Sequence, residues 1–167
     1  MSGYGLKENQ ALSLILENDL KEAGYNIKVV NGSVSGDTSE DGLDRIEEYT
    51  SYSDIDLIVL GLGANDMLRR INPDQTESNL RKIIEIIKTK NIKIILAGMK
   101  ASPTNGLAYK KKFDDIFPKL AEEYDLTLIP FLLKKVALNP KLNQSDGIHP
   151  NFEGAQVISE TIKESII

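Results

Sequence analysis

The sequence predicts a three-layer α/β/α sandwich around a parallel sheet, and three observations carry that expectation. Amphipathic helical stretches alternate with short strands along the chain. Within the expected strands Asp56–Gly61 and Ile92–Gly98, the stretches Leu57–Leu60 and Ile94–Ala97 are continuously apolar rather than alternating, as strands buried on both faces require. The 167 residues are 41% hydrophobic and 27% charged, without repeats, low-complexity tracts or a linker. A chain of that kind reads as a single domain over 1–167, long enough to bury about two-thirds of its surface.

Each element has its own signal. Leu12, Ile15, Leu16, Leu20 and Ala23 recur at helical spacing and stop at Gly24, so Glu8–Ala23 reads as an amphipathic helix. A short strand is expected at Asn26–Val30. Asp37, with Glu40 three residues on, has the spacing of a capping box, and Leu43 and Ile46 carry the following helix into the Tyr49 region. The strand Asp56–Gly61 comes next. Leu80, Ile83, Ile84 and Ile87 mark a helix from near Asp74 to just before Asn91, and strand Ile92–Gly98 follows it. Tyr109, Phe113, Ile116, Phe117, Leu120 and Tyr124 mark another helix, with a bend expected at Pro118, which cannot donate to the carbonyl of Asp114. Leu126–Ile129 is the last strand, a short helix is expected around Phe131–Val136, and Ala155, Ile158 and Ile162 mark the terminal helix.

Composition removes several function classes. The net charge is −5 and no single-sign run exceeds Lys110, Lys111 and Lys112, so no field gathers phosphate backbones or anionic lipid, and no nucleic-acid partner is expected. The absence of cysteine removes disulfides, thiolate catalysis and thiolate metal sites, and a single histidine, His149, rules out a multi-His metal centre. No apolar stretch reaches the ~18 residues of a membrane span, so no membrane insertion is expected. Met-Ser-Gly-Tyr-Gly has neither a basic nor an apolar leader region, so as written the chain reads as cytosolic, with any export signal expected upstream of Met1.

In a parallel sheet of this kind, ligands sit at the carboxyl ends of the strands. Three polar clusters fall there. The first, Asn31 to Thr38, reads either as a helix N-terminus capped by Asp37 or as a site where Gly36, lacking a Cβ, lets a ligand oxygen approach the backbone N–H. The second, Gly61-Leu62-Gly63-Ala64-Asn65-Asp66, places Asn65 or Asp66 as a helix cap, or Asn65 as an amide donor to an oxyanion. Its Gly-x-Gly hints at nucleotide phosphate, but Asp66 stands where the third glycine of that fingerprint belongs. The third, Asp146-Gly147-Ile148-His149-Pro150-Asn151, is either a surface turn or a base pair in which Asp146 accepts from His149 Nδ1 and leaves Nε2 as the base.

Together, Ser35-Gly36-Asp37-Thr38, Gly61 to Asp66 and Asp146 to Asn151 resemble the second, third and fifth blocks of the SGNH (GDSL-type) hydrolases, in the right order along nearly the whole chain. They are most similar to the bacterial multifunctional thioesterase, lysophospholipase and arylesterase branch. The resemblance implies a flavodoxin-like fold with strand order similar to 2-1-3-4-5 and Ser-His-Asp acyl transfer on small acyl esters or thioesters, without metal or organic cofactor. Carried over, Asp146 and His149 are the orienter and base, and Gly36 and Asn65 are oxyanion donors. The family's first block, Gly-Asp-Ser-Leu before a Gly-Tyr-Gly stretch, is matched only in its trailing part by Ser2-Gly3-Tyr4-Gly5.

The nucleophilic serine and the central first strand are therefore expected upstream of Met1, leaving these 167 residues inactive. Ser2 is a poor substitute, and Ser33 and Ser35 are expected to serve loop hydrogen bonds. The missing strand belongs between Asn26–Val30 and Asp56–Gly61, so unpaired strand edges and a poorly secured Asn26–Val30 are expected. The Asp146 carboxylate is expected within hydrogen-bond reach of His149 Nδ1, with Nε2 facing a cleft shared with Gly36 and Asn65. The alternative is a non-catalytic acyl-ligand or carbohydrate-binding module on the same fold. Leu68, Leu107 and Phe131, in segments expected to shape the pocket, read either as favouring an acyl chain over a sugar or as core packing, which explains each nearly as well.

Overall fold

A computed structural model describes residues 3–167. Along the chain these form a 3-10 helix at Glu8–Gln10, α1 (Leu12–Glu22), α2 (Ser39–Thr50), β1 (Leu57–Leu60), α3 (Ala64–Leu68) and α4 (Pro73–Thr89). Next come β2 (Lys93–Ala97), a 3-10 helix at Pro103–Asn105, α5 (Leu107–Tyr124), β3 (Thr127–Ile129) and α6 (Phe152–Ile166). They fall into two compact units, one spanning Gly36–Phe131 and the other joining the residues up to Ser35 with Leu132–Ile167.

The unit Gly36–Phe131 holds a parallel sheet in the order β1-β2-β3, with Leu57 opposite Lys93 and Ile95 opposite Thr127. Central β2 is buried from Ile94 to Ala97, as its continuous apolar run requires, whereas edge strand β1 is half-buried from Leu57 to Val59. Against the sheet, α4 presents Leu80, Ile83, Ile84 and Ile87, all fully buried, each contributing about 1.5–3 kcal/mol of apolar transfer. α5 buries Phe113, Ile116, Phe117 and Leu120 against β2 and β3, with the two phenylalanine rings edge to face at 5.7 Å. It runs unbroken through Pro118 and ends at Asp125 in a left-handed cap.

Local chemistry sets the helix starts. α4 opens with Asn72 accepting the Asp74 N–H and with Pro73 in the first turn, where its missing donor costs nothing. The capping box of α2 is Thr38 with Asp41, one residue beyond the expected Asp37 with Glu40. The Thr38 N–H donates to the Asp41 carboxylate at 2.8 Å, while Asp37 is engaged by the Arg45 guanidinium. α3 is capped by Gly63 rather than by Asn65 or Asp66, which lie inside the helix; at φ +106°, Gly63 makes the left-handed turn that lets α3 begin soon after β1.

In the other unit α1 packs on α6 through Leu12, Leu16 and Leu20 on one side and Ala155, Ile158 and Ile162 on the other. The Ser159 hydroxyl donates to Asp19 at 2.5 Å. The expected strand Asn26–Val30 does not form, so the sheet has three strands rather than four. A strand is a shared property that exists only where a neighbour completes its ladder. This segment pairs with none; its Val29 N–H goes to the Glu17 carboxylate at 2.7 Å, and Ile27 and Val30 stay exposed.

The expected helix around Phe131–Val136 is likewise a series of turns. Only Ala137 N–H reaches back four residues, to Leu133 O at 2.8 Å. The Asn143 amide takes the Val136 and Asn139 carbonyls at 2.7 and 2.8 Å, and Leu138 sits at φ +61°, outside helical space. Leu132 and Val136 are buried all the same, so the periodicity marked burial rather than helix.

Candidate active site

In the unit containing α6, a turn ahead of that helix presents Asp146 and His149. Asn151 caps the helix by accepting the Gly154 N–H at 2.9 Å, and Gly154 lies so close to the Leu142 carbonyl that a side chain there would collide with it. Upstream, Gln144 N–H donates to His149 O at 2.7 Å and Gly147 N–H to Gln144 O at 2.9 Å. Gly147, at φ +70°, supplies the left-handed residue of the turn.

Within this turn the Asp146 carboxylate is saturated. Oδ1 accepts the backbone N–H groups of Ile148 and His149 at 2.9 and 3.0 Å, and Oδ2 lies 2.7 Å from His149 Nδ1. The His149 N–H, the imidazole and the Ile148 N–H, in that order, hold the carboxyl down at about 2, well below its ordinary 3.8. An ionised carboxylate can only accept, so Nδ1 is the nitrogen that donates, and in the neutral imidazole the lone pair then lies on Nε2. Both side chains remain 39% accessible, so Nε2 is open to an incoming molecule.

The unit Gly36–Phe131 contains the other two expected residues. Gly36 stands at φ +87°, and its N–H has no hydrogen-bond partner among the described residues. The loop is held through its carbonyls: Arg69 donates to Gly36 O and the Asn65 amide to Asp37 O, each at 2.8 Å. Because an amide nitrogen carries two hydrogens, Asn65 retains a second donor. Gly36 N–H and the second hydrogen of Asn65 Nδ2 are thus two donors in one loop cluster, joined through Asp37, a chemistry able to stabilise an oxyanion.

Beneath this loop lies a polar group that sequence reasoning missed. Asp66, considered there only as a helix cap, is fully buried and accepts the Ser39 N–H at 2.8 Å, the Ser39 hydroxyl at 2.5 Å and the Thr76 hydroxyl at 3.0 Å. Asn79 donates in turn to the Ser39 hydroxyl at 3.0 Å. The carboxylate sits at the N-terminus of α2, where the helix dipole offsets part of its burial. The available signal was Thr76 and Asn79 at helical spacing with Leu80 and Ile83, polar residues on an apolar stripe.

Asp146 and His149 therefore pair inside one unit, while Gly36 and Asn65 lie in the other, where Asn65 holds the carbonyl of Asp37, the residue after Gly36. Ser2, the hydroxyl nearest in sequence to the expected nucleophile position, lies outside the described residues. Among the described residues no group of three or more His, Asp or Glu side chains could hold a metal ion, and no helix is long and apolar enough to cross a membrane.

Known proteins resemble this chain along nearly its whole length. An arylesterase from Vibrio mimicus is 35% identical over 166 residues, 99% of this chain and 83% of that protein. Thioesterase 1/protease 1/lysophospholipase L1 from Escherichia coli (strain K12) is 35% identical over 165 residues, 99% of this chain and 78% of that protein. The crystal structure of TesA superposes with a TM-score of 0.92 at 31% identity, covering 99% of this chain and 92% of that one. The family model for GDSL-like lipases and acylhydrolases matches residues 1–157. The chain belongs to the GDSL-like lipase/acylhydrolase family.

Proposed function

We propose that the chain is an esterase or thioesterase-type hydrolase whose residues His149, Asp146, Gly36 and Asn65 serve Ser-His-Asp acyl transfer. The reading is supported chiefly by the 2.7 Å contact between His149 Nδ1 and an Asp146 carboxylate already saturated by two backbone donors. That arrangement leaves Nε2 able to take the proton of a serine hydroxyl as its oxygen attacks the acyl carbon, with Asp146 stabilising the imidazolium. Gly36 N–H and the free Asn65 donor take the charge that develops on the carbonyl oxygen. The imidazolium then protonates the departing alcohol or thiol, and water repeats the sequence to release the acid. The relatives' names, arylesterase and thioesterase/lysophospholipase, support a small-molecule acyl ester or thioester as substrate. Exposed Leu68 and Leu107 fit an acyl chain.

None of the 167 residues stands in a Gly-Asp-Ser-Leu block, so the assignment covers the base, its orienter and the oxyanion donors and leaves out the nucleophile. The test is hydrolysis of p-nitrophenyl acetate and butyrate by this polypeptide and by a version preceded by an apolar strand ending in Gly-Asp-Ser-Leu. The extended form turns over both esters and loses that activity when the added serine is changed to alanine; the 167 residues alone do not. Strong turnover by the short form, abolished by Ser2→Ala, overturns the assignment.

A further inference from the structure

The terminal side-chain torsion of a histidine is broad and roughly two-fold, so one hydrogen bond at Nδ1 alone opposes rotation of the His149 ring away from Asp146. A second contact lies on the face of the ring. The Tyr4 ring lies there, its centroid 4.5 Å from that of His149 and its plane tilted by 38°. Tyr4 is 57% exposed, so it does not serve as core, and its hydroxyl has no hydrogen-bond partner among the described residues.

What fixes Tyr4 against the imidazole is Gln144. Its side-chain Nε2 donates to Tyr4 O at 2.7 Å and to Pro150 O at 3.0 Å, while its backbone N–H donates to His149 O at 2.7 Å and its carbonyl accepts from Gly147 at 2.9 Å. One residue thus ties the backbone that carries the tyrosine to both ends of the turn that carries the base. The partners are 140 positions apart in sequence, so this is no by-product of a local turn. The chain around Tyr4 is shaped to admit the amide. Gly3 and Gly5 stand at φ +79° and +73°, the Leu6 N–H closes the turn on Gly3 O at 2.9 Å, and a Cβ on Gly5 would collide with the Gln144 amide.

We propose that Tyr4 and Gln144 are positioning residues for the His149 base: the tyrosine ring holds the imidazole orientation that keeps Nδ1 on Asp146, and the glutamine amide holds the tyrosine. The proposal rests on reading His149 as the base.

His149 is the only histidine, so its imidazole signals in a nuclear magnetic resonance spectrum need no assignment by difference. In the unaltered chain, the ring-carbon protons appear upfield under the Tyr4 ring and the nitrogen shifts report the Nδ1–H form. Tyr4→Leu loses the upfield displacement and gains the Nε2–H form, whereas Tyr4→Phe retains both features. Gln144→Met, similar in size but without the amide, reproduces the Tyr4→Leu result with the tyrosine still present. Unchanged α6 backbone signals in each variant show that the fold persists. Ring-proton positions untouched by Tyr4→Leu, a displacement lost without any change of tautomer, or a silent Gln144→Met each overturns the proposal. An unaltered chain that lacks the Nδ1–H form instead overturns the reading of His149 as the base, and the ring-proton comparison still decides the Tyr4 contact.

Discussion

Replacing Asp66 with alanine measures how firmly the start of α2, next to the Gly36 loop, is seated. The buried carboxylate accepts three hydrogen bonds, from Ser39 N, Ser39 Oγ and Thr76 Oγ1. Hydroxyls can turn toward other acceptors, but the Ser39 N–H is fixed by α2 and cannot. A stranded buried donor costs about 1–3 kcal/mol, so the amide and one hydroxyl together give about 2–6 kcal/mol. Removing the carboxylate also relieves its own desolvation, which favours the lower part of that range, about 2–3 kcal/mol. Asp66→Asn should cost less, about 1–2 kcal/mol, because one oxygen still serves both hydroxyls while the new amide opposes only the Ser39 N–H. Thr76→Val strands nothing and should cost about 1 kcal/mol. Urea unfolding followed by circular dichroism, with slopes compared before midpoints are read, gives all three values. An Asp66→Ala midpoint indistinguishable from that of the unaltered chain would refute the account.

In the form supplied with Gly-Asp-Ser-Leu, Asp146→Asn should lower kcat by about 10⁴-fold, since an amide facing Nδ1 favours the wrong tautomer; a loss under tenfold in an ester assay argues against the pairing. Asn65→Ala in the same form should lower kcat by about 10²–10³-fold with little change in KM, read from steady-state kinetics. The Asp146 carboxyl is lowered on folding, so its hold on the turn is complete above 3.8 and is lost as pH falls from there through about 2. The amide shifts of Ile148 and His149 should titrate together across that window. In hydrogen exchange, the amides of Asn26–Val30 should exchange fast except that of Val29, whose N–H is bonded to Glu17; uniform protection of all five would contradict the unpaired conformation.

The elements legible in the sequence were those whose cause is local or whose burial is complete. The apolar runs located β1, β2 and β3 to within a residue or two, and the stripe Leu80, Ile83, Ile84, Ile87 located α4. Asn26–Val30 misled because its residues suit a strand while the ladder that would make it one depends on a neighbour. The cap of α2 was ambiguous, because Asp37 with Glu40 and Thr38 with Asp41 have the same spacing; Arg45, further along the helix, engages Asp37 and leaves Thr38 to cap. Asp146 and His149, three residues apart, could be paired by eye. The contacts of Asp66 span 10 to 27 positions and those of Gln144 with Tyr4 span 140, and no local pattern carries such information.

The unit that carries His149 is sewn together from both ends of the chain, and this dictates an order of assembly. Gly36–Phe131 is one uninterrupted stretch with every sheet partner inside it, so it can condense while the ribosome is still adding the C-terminal residues. The links from Gln144 to Tyr4 and from Ser159 to Asp19 must each close across 140 positions, at a chain-entropy cost of about 4 kcal/mol for such a loop. Non-local closures of that span are slow steps in folding. The turn that carries Asp146 and His149 is thus completed last, after Leu132–Ile167 has emerged and the residues up to Ser35 have been gathered against it.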